Sequence, residues 1–212
     1  MTITIFGATG QVGKQVVNQA LALDFTVKAF GRNVEYLIDA DNRNKKFEAI
    51  KGYVFDANEV LEAIQHTDAV ISTLGGSFDG TDRTRSLGMK NIVSQMQIAG
   101  VNRIIALGGL GVLNADEKTL IIDSPNYPEE YKAVGLEHLQ AYQYLAASSL
   151  DYTFVCAPNI LNQDKTEQYI TTANYPPTPN HFEINAGDIA HFILHELKNN
   201  EFVGKRVGIS RI

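Results

Sequence analysis

The chain has a single cysteine, Cys156. One thiol excludes a disulfide framework and any cysteine-rich zinc site. No apolar run approaches the roughly 18 residues that a membrane span needs. Met1-Thr2-Ile3-Thr4 carries no charged n-region of a signal peptide, so a cytoplasmic location and no membrane partner are expected. Positive charge is scarce: 18 Lys and Arg stand against 24 Asp and Glu, a net charge of −6. Nucleic acid is recognised through basic stripes that contact phosphate, so no nucleic-acid partner is expected. Internal repeats and low-complexity segments are missing too. What is there is ordinary globular composition, 44% hydrophobic and 20% charged over 212 residues. That length buries a core without staples. The expectation is one domain, a monomer or homodimer, that handles a small-molecule substrate.

Short apolar runs alternate with amphipathic stretches. Ile3-Thr4-Ile5-Phe6 reads as a buried strand, and Val12, Val16, Val17, Ala20 and Leu21 follow at helical spacing. Residues 25–30 read as a second strand, 33–40 as a short helix and 41–46 as a charged loop. A third strand is expected at 47–50, resuming through Tyr53-Val54-Phe55. Asn58 is placed to cap a helix to about His66. Residues 69–74 form a fourth strand. Met89, Ile92, Val93 and Met96 mark a helix that stops at Gly100. Strands at 103–107 and 152–156 flank a long helix at 129–148. After Pro158 the rhythm weakens: a proline-stiffened loop at 175–179, a strand at 182–184, a helix at 188–197 and a last strand near 206–209. Strands alternating with helices predict right-handed βαβ units and a doubly wound, mostly parallel sheet with helices on both faces. The chain is read as one domain over 1–212. Residues 1–157 form its dinucleotide core, and 158–212 a short extension of the same sheet on the substrate side.

The first strand runs into Gly7-Ala8-Thr9-Gly10-Gln11-Val12-Gly13, spaced G-x-x-G-x-x-G before a helix. Gly7 permits the tight turn, Gly10 lets a pyrophosphate approach the backbone, and Gly13 lets the helix pack on the sheet. The helix presents free N–H groups to phosphate, so Thr9, Gln11 and Val12 are cofactor candidates with the glycines. NAD-preferring folds place a carboxylate after the second strand. This chain has Gly31-Arg32-Asn33 there instead. The planar fork of Arg32 can stack on adenine and pair with a 2′-phosphate, so NADP(H) is expected, with NADPH preferred over NADH. Asn33 stands beside it. Asp56 serves either the adenine amino group or a helix cap. Thr73, Leu74 and Gly75 close the fourth strand, as a backbone surface for ribose and phosphate or as a plain turn.

The pattern resembles the atypical short-chain dehydrogenase/reductases that bind NAD(P)H, and more closely the flavin reductase (biliverdin-IXβ reductase) family. The matching stretches are Ile5-Phe6-Gly7-Ala8-Thr9-Gly10-Gln11, Asp68-Ala69-Val70-Ile71, Asn91-Ile92-Val93 with Gly100-Val101, Glu137-His138 through Leu145 to Tyr152, Pro158-Asn159-Ile160, and Gly187-Asp188-Ile189-Ala190-His191-Phe192. The resemblance implies a single Rossmann-like domain and NADPH-dependent reduction of flavins, quinones or similar flat conjugated molecules. It also implies a role for His138, which matches a helix histidine of that family, in orienting substrate or relaying a proton. An ordinary helix histidine is the alternative.

The departures from the pattern narrow the chemistry. Tyr131 is followed four residues on by Gly135, so the Tyr-x-x-x-Lys pair of short-chain dehydrogenases is broken, and Lys132 lies off the required helix face. Gly109 stands where the family offers a serine. Gly109, Leu110 and Asn159 are candidates for the substrate wall, together with loop 108–113 and segment 158–162. Asn159 is otherwise a turn residue. Aromatic and proline residues around Tyr169 and 175–179 are expected either as a lid or as a surface loop. His191 and His195 lie four apart, but without a third ligand they read as two separate histidines, and no metal is expected. Cys156 reads as an inert core thiol. Two other functions stay open: an NADP(H)-binding redox sensor without turnover, and a protein like the nucleotide-sugar epimerases.

Overall fold

A computed structural model of the chain describes residues 1–37 and 45–212. Its main sheet has eight strands. They are β1 (Thr2–Phe6), β2 (Thr26–Gly31), β3 (Phe47–Lys51), β4 (Ala69–Ser72), β5 (Arg103–Gly109), β6 (Asp151–Ala157), β8 (Tyr169–Ala173) and β10 (Lys205–Arg211). They lie in the order β3-β2-β1-β4-β5-β6-β10-β8. Every pairing is parallel except β8 against β10. A parallel pair of β7 (Asn159–Leu161) and β9 (Glu183–Asn185) stands apart. The fold is a single-domain, Rossmann-like, doubly wound α/β sheet.

The five α-helices are α1 (Gln11–Ala22), α2 (Ala57–Ile64), α3 (Thr84–Ala99), α4 (Lys132–Ala146) and α5 (Ala186–Asn199). Two cores follow from the period of 2 along each strand. Ile3, Ile5, Val155 and Ala157 join α1 and α5 on one face. Phe6, Phe154 and Cys156 join α2, α3 and α4 on the other. Thr4 is buried beside Phe6, and its hydroxyl donates to the Ala63 carbonyl at 2.8 Å, which satisfies it inside that core. The strand order reverses between β1 and β4. Such a switch opens a crevice above the carboxyl ends of both strands.

Several local expectations are corrected. Tyr53-Val54-Phe55 does not resume β3. Glu59 Oε2 accepts the Tyr53 N–H at 2.7 Å, and the Asp56 N–H turns back to the Tyr53 carbonyl at 2.9 Å. Asp56, not Asn58, caps α2, because its Oδ1 accepts the N–H groups of Asn58 and Glu59 at 2.9 and 3.0 Å. Between 33 and 40 the described part is a single 3-10 turn, Val34–Leu37. The remainder of that stretch and most of the loop expected at 41–46 lie outside the described residues. The helix expected from 129 begins as a 3-10 turn, Glu129–Tyr131, and becomes α4 at Lys132. Strands β7 and β8 were not anticipated. Both are short edge elements without the apolar runs of the central strands.

At the end of the sheet opposite the crevice, Glu196 is 1% exposed. Its Oε1 receives Arg103 Nη2 at 2.8 Å, Thr153 Oγ1 at 2.9 Å and the Phe202 N–H at 3.0 Å. This knot ties α5 to β5, β6 and the turn before β10. Cutting it strands a buried guanidinium, so Glu196→Ala is expected to cost about 3 kcal/mol in urea unfolding.

Candidate functional site

The crevice is built by three glycines with three different reasons. Gly7 sits at φ +79, and a Cβ there would lie 2.5 Å from the Thr73 carbonyl oxygen. Thr73 fixes that approach. Its N–H donates to the Phe6 carbonyl at 2.9 Å, and its hydroxyl lies 3.1 and 3.2 Å from the carbonyls of Phe6 and Gly7. A Cβ on Gly13 would lie 2.2 Å from the Gly7 carbonyl oxygen, so α1 could not seat. Gly10 has ordinary extended backbone, φ −71 and ψ 168, and its Cβ would meet only the Gly7 carbonyl oxygen at 3.3 Å. Folding therefore tolerates more at Gly10 than at its neighbours, and the bare backbone there faces the cleft. Helix α1 has no side-chain cap and no acidic residue in its first turn. Its free N–H groups and positive dipole end suit an anion. Helix α2, capped by Asp56, lacks that vacancy.

A cleft of about 940 Å³ crosses the carboxyl ends of the strands. Gly7, Thr9, Gly10, Gln11 and Val12 line it near the turn, Arg32 at the β2 end, and Thr73, Leu74 and Gly75 in the middle. Gly109, Leu110, His138 and Asn159 line its far end. Three expected residues are not brought in. Gly13 is closed under the turn, Asn33 is exposed beyond Arg32, and Asp56 is spent on its cap.

The far end has a shape that follows from missing side chains. The Tyr127 ring slots between Gly111 and Gly135, since a Cβ on either would lie 2.7–2.8 Å from its hydroxyl. Gly135, which breaks the Tyr-x-x-x-Lys spacing, is thus the space that Tyr127 fills. Burial raises the Tyr127 phenol above its usual range, with a smaller contribution from Tyr131. Lys132 is exposed, and no lysine stands in the cleft wall among the described residues. The His138 ring lies over Gly109, where an added Cβ would be 2.9 Å from its Cδ2. The histidine takes the room a serine side chain would need. Burial, and then the Arg85 guanidinium, push its imidazolium down to about 3, so the ring is neutral near pH 7. Its neighbour Glu137 is buried and accepts Ser86 Oγ at 2.7 Å and Arg83 Nη1 at 3.1 Å, which pins α4 to α3.

Of the two readings of Tyr169 and 175–179, lid or surface loop, the structure favours the loop. Tyr169 donates to or accepts from His191 Nδ1 at 2.7 Å, on α5, and the Tyr175 carbonyl and Pro177 press on Gly208 of β10. None of them lines the cleft. Val112 and Leu113 are also core residues rather than wall. The wall instead recruits Tyr53 and Phe55 near Arg32, and Phe78, Arg85, Tyr127 and Phe182 at the far end. The two aromatics after β3, Tyr53 and Phe55, had been read as part of a resuming strand rather than as wall. Arg85 gave no signal, because nothing in the spacing of α3 marks an arginine as buried. Cys156 is buried, its thiol pushed up by desolvation, and no cluster of three metal-ligating side chains occurs among the described residues. No helix among the described residues is long and apolar enough to cross a membrane.

A family model described as NAD(P)H-binding matches residues 7–200. The chain belongs to this NAD(P)H-binding family. The uncharacterised protein YwnB of Bacillus subtilis is 25% identical over 198 residues, covering 82% of this chain and 88% of that protein. Among solved structures, a Bacteroides thetaiotaomicron protein provisionally named an epimerase superposes with a TM-score of 0.85 at 25% identity, over 100% of this chain and 97% of its own. A Streptococcus pneumoniae protein provisionally named an NADH-flavin reductase gives 0.83 at 24% identity, over 100% of both chains. Its likeness concerns the fold alone. Proteins with different names share this architecture, so activity has to be argued from the cleft.

Two expectations follow. Gly13→Ala should cost about 2 kcal/mol or more in urea unfolding, whereas Gly10→Ala should cost under about 1 kcal/mol. The second concerns acid. Unfolded His138 titrates near 6.5 and the folded ring near 3, so the unfolded chain binds the extra proton between those values. Stability contributed by the neutral ring is present above pH 6.5 and is lost as pH falls through that window. His138→Gln should therefore show a shallower loss of unfolding free energy between pH 6.5 and 5, by about 1–2 kcal/mol.

Proposed function

We propose that the chain is an NADPH-dependent reductase of a flat conjugated small molecule, such as a flavin or quinone. One observation carries the reading. A single cleft joins a phosphate-ready helix end and Arg32 to an aromatic and apolar chamber that holds no carboxylate and no Tyr–Lys pair. Gly10 and the α1 N–H groups would hold the pyrophosphate, and Arg32 the 2′-phosphate through its planar fork. When bound, the reduced nicotinamide supplies a hydride. The chain supplies position and dryness. Leu110, Val134 and Tyr127 wall off water, and neutral His138 can donate one hydrogen bond or accept one to orient the acceptor. Alcohol–ketone chemistry fits poorly, because Gly109 stands for the serine and Gly135 for the lysine, which leaves Tyr131 in the cleft wall without the partner that would help it move a proton. An epimerase fits poorly for the same reason.

A redox sensor without turnover is the second reading, favoured by the lack of a readily titrating proton donor at the far end, where burial holds His138 neutral and raises the Tyr127 phenol. NADPH oxidation with FMN, FAD, riboflavin and quinones separates the two. Turnover with any of these acceptors supports the reductase, and tight NADPH binding with no oxidation supports the sensor. In the same assays NADPH should bind at least about tenfold more tightly than NADH, and Arg32→Ala should remove most of that difference. Equal affinities in the wild type would overturn the cofactor preference.

A further inference from the structure

Among the described residues, the charged side chains in the cleft wall are Arg32 and Arg85, in a chain of net charge −6. Arg32 is exposed and has a use in the reading above. Arg85 does not. It is 7% exposed, and burial alone lowers the affinity of its guanidinium for a proton. Its Nη1 and Nη2 donate to the carbonyls of Ser77 and Gly76, each at 3.0 Å. Its Nε has no partner. No ion pair among the described residues includes it.

The nearby carboxylates favour its charge through space, but neither pairs with it directly, and each is engaged elsewhere. Asp82 accepts the N–H groups of Thr84 at 2.7 Å and Ser77 at 3.3 Å. Glu137 accepts from Ser86 and is paired with Arg83 at 3.1 Å. The Phe78 ring, 63% exposed, lies 5.6 Å from the guanidinium, so an aromatic surface and a cation stand together at the cleft. A buried cation without a paired anion is costly, and carbonyl hydrogen bonds offset only part of that cost.

We propose that the His138 end of the cleft binds a flat conjugated molecule through a planar, delocalised oxyanion edge, such as a carboxylate, enolate or deprotonated imide, and that Arg85 recognises that edge. The proposal rests on reading this end as the substrate end. It narrows the substrate to acceptors whose rim is acidic. Tyr127 and Phe78 offer faces for the ring system, and the guanidinium supplies the missing counter-charge. Asp82 and Glu137 hold the loop and α4 in register around it and, with no direct ion pair to it, offset its charge only through space.

The test compares two probes of one shape, 2-naphthoate and 2-naphthamide, by calorimetry on the cofactor-free protein and again with saturating NADP⁺. The wild type should bind the anion at least about tenfold more tightly than the amide. Arg85→Gln should abolish the preference, and Arg85→Lys should keep part of it. Arg85 also staples residues 76 and 77, so Arg85→Gln risks misfolding. A second readout therefore uses the wild type: the ¹⁵N resonance of the Arg85 Nε–H, assigned through Arg85→Lys, should move with naphthoate and not with naphthamide. Equal affinities in the wild type, a preference that survives Arg85→Gln, or an Nε–H unmoved by the anion would overturn the proposal and leave Arg85 a loop staple. A fall in NADP⁺ affinity without any change in probe preference would overturn it too, by giving Arg85 to the cofactor. Selective naphthoate binding without NADPH oxidation would keep this site and remove only the reductase reading.

Discussion

The architecture turns on the contact between Gly7 and the carbonyl of Thr73. The first strand must end, reverse and start a helix within four residues, while the fourth strand ends alongside. Only a residue without Cβ, in the left-handed region, fits beside that carbonyl. From this contact come the seating of α1 over Gly13, the exposure of the Gly10 backbone and the crevice between β1 and β4. The Thr73 hydroxyl reinforces the same point. The strand that expectation had presenting a surface to a ligand is thus also the clamp that shapes the turn.

The far half of the cleft is made by subtraction. Gly109, Gly111 and Gly135 replace side chains that would fill the chamber or act in it. Their vacancies are taken by the rings of His138 and Tyr127. The substitution exchanges a hydroxyl and an ammonium for neutral, desolvated rings. A site of that kind favours chemistry that a bound cofactor performs itself, with the protein contributing geometry.

The central strands and both glycine-dependent turns were legible because period and steric need act locally. Strands buried on both faces read as apolar runs, and a strand–glycine–helix order has few other uses. Other features depend on choices made across the sheet. Asp56 and Asn58 are both good caps, and only the path of 52–55 decides between them. The loop at 175–179 could be read as a lid or as a surface loop, and its seat on Gly208 of β10 decides between them. Arg85 is buried because α3 docks on α4 through Glu137, 51 and 52 residues away from Ser86 and Arg85, and no window along the chain contains both.

The contrast between an acidic exterior and a cleft wall free of carboxylates among the described residues also bears on how anions arrive. Far from the opening, a nucleotide or an acidic acceptor meets net repulsion, and only within a few ångström does it meet arginine and the α1 dipole. Added salt screens the distant field more than the desolvated contacts, since the Debye length is about 8 Å at physiological ionic strength. Entry of an anion should then quicken with moderate ionic strength while its departure hardly changes. A surface that slows encounter and a cavity that retains its guest give the molecule a kinetic filter, one that favours occupants able to stay over those that merely collide often.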